Sequence, residues 1–232
     1  MKKNNLKLRV SIQAFSRTVF DFRRILSACI FLLVSSIALY ISFSIYPPTN
    51  SILELSRATP WGIVTSIFVH SSPIHLAYNM VGLFAYTLLF AVCNSSLTSE
   101  TKRRIQSFFL VCAFGSAVAS NIFWVFLTSQ PSLGASGVVY AVQGVLLGFS
   151  LINGLSILNW EKFKTQEKST KLMVLFNLLV LISLLVQIFL SPEIFLSVGV
   201  GVNVVAHGFS FYLSLVITFV WNNYVKKVSI LV

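Results

Sequence analysis

Apolar residues come in long, uninterrupted runs. They occupy Ile25–Ile45, Ile74–Val92, Ile105–Leu127, Gly137–Leu158, Leu172–Leu190 and Val202–Trp221, with polar and basic clusters between them. At about 1.5 Å of rise per residue, about twenty apolar residues cross the ~30 Å hydrocarbon core of a bilayer. The runs are continuous and do not alternate with period two, so they predict helices and not the strands of a closed barrel. Six spans put both chain ends on one side. The pattern predicts an all-α polytopic membrane protein, a six-transmembrane-helix bundle over 25–224. A basic tail at 1–24 and a short tail at 225–232 flank it.

The connections differ in kind. Residues 46–73 form a long segment with Pro47, Pro48, Pro60, Trp61 and Pro73. Trp61 and Phe68 place it at the membrane interface. Residues 128–136 are short and turn-forming, and 191–201 are apolar and glycine-containing.

Composition narrows the class. Hydrophobic residues make up 56% of the 232 positions and charged residues 10%, against about 25% charged in a soluble domain. This excludes an ordinary soluble globule, a disordered chain and a disulfide scaffold. The net charge of +11 invites a nucleic-acid partner, but its placement argues for topology instead. Sixteen of the 17 Lys and Arg residues fall on the side of the two tails, with Arg57 alone opposite. By the positive-inside rule that side is the cytosol. The expected location is the cell membrane, multi-pass, with both termini cytoplasmic. In the basic tail, Leu8, Ile12, Phe15, Val19 and Phe22 alternate with charges, so the tail is expected on an anionic leaflet. Cys29, Cys93 and Cys112 are odd in number, lack CxxC spacing and read as small apolar packing residues.

Ionisable groups inside a membrane are functional candidates. The only Asp is Asp21, in the tail, and every Glu lies in a connection. The spans therefore lack the carboxylate pair of an aspartyl protease, the ligands of a metalloprotease and the buried acid of a proton-coupled transporter. Histidine remains. His70, His75 and His207 all fall near the outer ends of spans two and six, and His75 and Asn79 share one helix face at i, i+4. Ser136, in Gly134-Ala135-Ser136-Gly137, opens span four. A helix N-terminus offers free N–H groups and a positive dipole end, which suit a developing oxyanion. A Ser there is equally an N-cap between turn glycines. Tyr140 and Gly144 share a face with Ser136, and small residues at Gly137, Ala141, Gly144 and Gly148 permit close helix contact.

Together these residues carry a resemblance. His70…His75-Leu-Ala-Tyr-Asn79 in span two, Gly134-Ala-Ser136-Gly-Val-Val-Tyr140-Ala-Val-Gln-Gly144 in span four and Ala206-His207 in span six are similar to the rhomboid intramembrane serine proteases. The resemblance covers roughly 25–224. It implies a six-helix rhomboid-like bundle, with Ser136 as nucleophile and His207 as general base. It implies an oxyanion hole from His75, Asn79 and the Ser136 N–H, with Tyr140 stacked on His207. Gly134 would shape the loop before the nucleophile, and His70 would hold the first loop. Span five and 191–201 would act as gate and cap for transmembrane protein substrates. No metal, nucleotide or other cofactor is implied.

Two features depart from the family pattern. Gly62, not Arg, follows Trp61; Ser210 and Ser214 take small positions after His207, where a glycine pair is usual. The alternatives are a catalytically inactive rhomboid-like protein that binds client transmembrane helices, and a channel or transporter lined by the three histidines. The latter would need membrane carboxylates or an inverted repeat.

Overall fold

The computed structural model describes residues 16–46, 49–128, 130–192 and 203–230. Within them, six helices are long and apolar enough to cross a membrane. They are α1 (Arg23–Ile45), α2 (Pro73–Cys93), α3 (Ser99–Leu127), α4 (Ser136–Gly154), α5 (Lys168–Leu190) and α6 (Val204–Ile230). Each falls on an apolar run read from the sequence, and the fourth run continues past α4 as the 3-10 turn Leu155–Leu158. Most of the basic tail and most of the 191–201 connection lie outside the described residues.

Helix ends depart from run ends for a physical reason: the apolar pattern measures membrane thickness, whereas caps set where a helix begins. α3 starts at Ser99, ahead of its apolar run. The Thr98 hydroxyl accepts the Thr101 N–H (3.3 Å) and Glu100 sits in the first, positive turn. α2 starts at Pro73, where a missing N–H costs nothing, and Ser72 Oγ accepts the His75 N–H at 3.1 Å. α6 continues to Ile230, well past Trp221, so most of 225–232 extends that helix.

α4 is the central helix. Of its hydrophobic window 61% is buried, against 28% for α1 and for α5. It packs on α2, α3, α5 and α6. Lipid tails are as apolar as Leu, so helix association in a membrane relies on close fit more than on hydrophobic transfer. Gly144 provides that fit. A Cβ there would overlap Ser214 Oγ and the Phe211 carbonyl, so the α4 and α6 backbones approach through this position. The departures at Ser210 and Ser214 keep this contact. Both are fully buried, with Ser214 Oγ donating to its own helix at Phe211 O (2.9 Å) and Ser210 Oγ to Ser116 O on α3 (3.5 Å).

Polar groups fix the helix ends remote from Ser136. Lys102 Nζ lies 2.7 Å from Asp21 Oδ2, and Gln106 Nε2 donates to the Asp21 carbonyl at 2.9 Å, tying the segment before α1 to α3. Asn177 Nδ2 donates to Cys93 O at 3.0 Å and joins α5 to α2. All three cysteines are free and buried, as their packing role requires.

The first connection is a folded piece with short helices at Thr49–Leu53 and Gly62–Thr65. Asn121 of α3 holds it by donating to Ile63 O at 2.9 Å and to Ser66 Oγ at 3.2 Å. A Cβ on Gly62 would overlap the Glu54 carbonyl. Glycine in place of the usual Arg thus lets the loop fold closely on itself. Arg57 instead reaches α3, with Nε donating to Val125 O at 3.3 Å.

Candidate active site

Residues 131–135 lead into α4 and are held from two sides. On one side, Leu55 and Ser132 exchange backbone hydrogen bonds (2.9 and 3.0 Å), the Gly134 N–H donates to Ser66 O (2.9 Å), and the Ala135 N–H donates to His70 Nε2 (3.3 Å). On the other, Asn203 Nδ2, at the head of α6, donates to Ser132 Oγ at 3.1 Å. Gly134 has φ +118°, a conformation that side chains with a Cβ rarely adopt. The turn there feeds the chain into Ser136, the first residue of α4. The Ser136 N–H has no acceptor among the described residues, as expected for the first turn of a helix.

His70 serves this loop from behind. Its side chain is 1% exposed and does not line the cavity described below. Burial, and then the neighbouring His75, push its pKa down from the usual 6.5 to about 4. A neutral imidazole is what the Ala135 N–H needs, because an accepting Nε2 cannot carry a proton.

His207 is set by the start of α6. Asn203 caps that helix: its Oδ1 accepts the Ala206 N–H (2.8 Å) and its carbonyl accepts the His207 N–H (3.1 Å). Ser120 Oγ of α3 donates to Ala206 O at 2.9 Å. The imidazole is 5% exposed and stacks on Tyr140, ring centroids 4.2 Å apart and planes 17° apart.

α2 supplies the third wall. Ser71 Oγ lies 3.1 Å from His75 Nδ1, which orients that ring. A Cβ on Gly134 would come within 2.7 Å of His75 Cε1 and 3.4 Å of Asn79 Nδ2, so both side chains press against the loop before Ser136. Asn79 is 7% exposed, and its Nδ2 has no hydrogen-bond partner among the described residues. A buried, unpaired donor costs about 1–3 kcal/mol. It is expected where something else comes to accept from it.

A cavity of about 840 Å³ unites these walls. Ser136, Tyr140, His207, His75 and Asn79 all line it, together with Glu54, Trp124 and Asn203. Five of the seven residues singled out in the sequence therefore meet in one cavity, and Gly134 and His70 support it from outside. Sequence reasoning missed Asn203, whose signal was an N-cap residue ahead of an apolar run. It also missed Leu55, Ser66, Ser120 and Asn121, whose long-range bonds left no local signal. Among the described residues, no group of three His, Cys, Asp or Glu side chains could hold a metal.

Residues 57–224 match the family model described as Rhomboid domain, a stretch that takes in α2 through most of α6. No curated protein matches the chain.

Proposed function

The chain belongs to the rhomboid family, and on that premise we propose that it is an intramembrane serine endopeptidase acting through Ser136 and His207. The observation that carries the proposal is the shared cavity. A Ser at a helix N-terminus, a His stacked and capped in place, and an unpaired buried amide all face one space.

In the proposed reaction His207 takes the Ser136 hydroxyl proton as the oxygen attacks the scissile carbonyl. The oxyanion forms beside the Ser136 N–H, Asn79 Nδ2 and His75, donors already in place before the charge develops. His207 then gives its proton to the leaving amine, and an acyl ester on Ser136 remains. Water entering from the outer face, deprotonated by His207, hydrolyses the ester and restores the hydroxyl. Tyr140 holds the imidazole plane, which takes the orienting part played by an acid in a triad. His70 and Gly134 hold the loop and contribute no reacting atom.

The substrates proposed are transmembrane proteins, cut near the outer face at a helix-destabilised segment with a small residue before the scissile bond. Cleavage needs the segment unwound, because a helix hides its carbonyls in hydrogen bonds. The proposed orientation has both termini in the cytosol, which the basic ends of the spans favour, and the cavity facing the other side.

Fluorophosphonate labelling of the purified protein in detergent tests the dyad, with Ser136→Ala as control. Wild type should label and the variant should not. Equal labelling of both, or none on a folded wild type, would overturn the assignment and favour a client-binding, inactive member of the family.

A further inference from the structure

At the end of the bundle opposite the Ser136 cavity lies a second, shallow pocket of about 630 Å³. Arg24 from the head of α1, Glu100, Arg103, Arg104 and Ser107 from the first turns of α3, and Trp221 from the far part of α6 surround it. Its remaining wall is apolar, made by Phe108 and Val111. Phe108 and Trp221 stack with centroids 4.5 Å apart and planes at 25°, and Val111 is 76% exposed.

The charges here are not equivalent. Arg104 is paired with Glu100 at 2.5 Å, and the nearby Lys102 is committed to Asp21. Arg24 and Arg103 have no acidic partner among the described residues. Two unpaired guanidiniums thus stand at the rim of an apolar, aromatic wall. A guanidinium fork matches the paired oxygens of a phosphodiester. The wall that continues from it matches an acyl chain, and a Trp at this level is the usual interfacial anchor. A soluble anion or an acidic peptide would use the arginines but not the exposed Val111 surface.

We propose that this pocket is a binding site for an anionic phospholipid, with the phosphodiester on Arg24 and Arg103 and one acyl chain along Phe108, Val111 and Trp221. The bound lipid bridges α1, α3 and α6. By mass action it stabilises the bundle in proportion to its occupancy. The proposal does not depend on Ser136 being a nucleophile.

The test uses the full chain in neutral detergent, titrated with a short-chain phosphatidylglycerol, the matching phosphatidylcholine, or glycerol phosphate alone. The expected result is a saturable rise in melting temperature with phosphatidylglycerol only. Arg24→Gln/Arg103→Gln should need about thirtyfold more of that lipid for the same shift, at about 1 kcal/mol per removed arginine. A second readout is independent of whether the double variant folds. Phosphatidylglycerol with a brominated chain should quench tryptophan emission of the wild type more than its phosphatidylcholine counterpart, and Trp221→Phe should lose that excess. Equal shifts with the two lipids would reduce the pocket to non-specific lipid contact. A shift with glycerol phosphate at the same concentrations would make it a soluble-anion site. An unchanged titration of a folded double variant, or equal quenching by the two brominated lipids, would also overturn the proposal.

Discussion

Replacing Gly134 by Ala perturbs the approach to Ser136 in two ways that can be sized separately. The backbone has φ +118°, and holding an Ala there costs on the order of 1–3 kcal/mol. The new Cβ would lie 2.7 Å from His75 Cε1 and 2.9 Å from its Nε2, well inside the ~3.5 Å of a relaxed carbon contact. The imidazole cannot swing away without giving up Ser71 Oγ at 3.1 Å or pressing on the His70 ring, whose centroid is 5.2 Å away. Overpacking of this kind costs about 1–3 kcal/mol more. The loop is expected to relieve the strain by shifting, and a displacement of about 1 Å among reacting groups can lower the rate about a hundredfold. The assay is kcat on a fluorogenic transmembrane peptide in liposomes, read beside the thermal melt. Gly115→Ala is the control, because nothing lies within 4 Å of a Cβ at that helical position. Gly134→Ala should lose both stability and about two orders of magnitude in kcat, while the control keeps both. A Gly134→Ala protein with the same kcat as Gly115→Ala would refute the claim that this turn positions Ser136.

Three further outcomes follow from the same geometry. Asn79→Ala removes an unpaired buried donor, so kcat should fall on the order of a hundredfold with no loss of melting temperature; an undiminished kcat would take Asn79 out of the oxyanion hole. Gly144→Val places a side chain into the Phe211 carbonyl and Ser214 and should cost at least about 1–3 kcal/mol by forcing α4 from α6; an unchanged thermal melt would show that the two backbones do not need to meet there. His70 has a pKa of about 4 in the folded protein against the usual 6.5, so its neutral form contributes fully above pH 6.5. That contribution drains as pH falls from 6.5 to 4, by at most about 3 kcal/mol, because an opened loop takes up the proton first. The wild-type melting temperature should drop through that window more steeply than that of His70→Gln, which accepts a hydrogen bond without titrating there; parallel curves would exclude His70 as the sensitive group.

Much of the architecture was legible in the chain because a bilayer imposes a length on every crossing element. The six apolar runs mark six helices, and Gly144 with its small neighbours marks the seam where α4 and α6 meet. Ser136, His207, His75 and Asn79 stood out as candidates because no Asp, Glu, Lys or Arg lies deep in an apolar run. Helix boundaries were less so: Thr98 and Ser72 begin their helices by capping, which hydropathy does not register. The roles of Ser66, Ser120 and Asn121 could not be read at all. Each is an ordinary polar residue until its partner, Gly134, Ala206 or Ile63, arrives from elsewhere in the chain.

The sequence by itself therefore determined the number of apolar crossings, the charge asymmetry between their ends and the short inventory of candidate groups. These depend on composition and order along the chain, and the membrane acts on each segment alone. Only the tertiary structure decided that Ser136 and His207 share a cavity with Asn79, and that His70 supports the loop from behind instead of lining that cavity. It also decided that Arg24 and Arg103 stand together beside Trp221. Such neighbours come from helices far apart in sequence, and their proximity follows from how closely the helix backbones pack, which no single segment encodes.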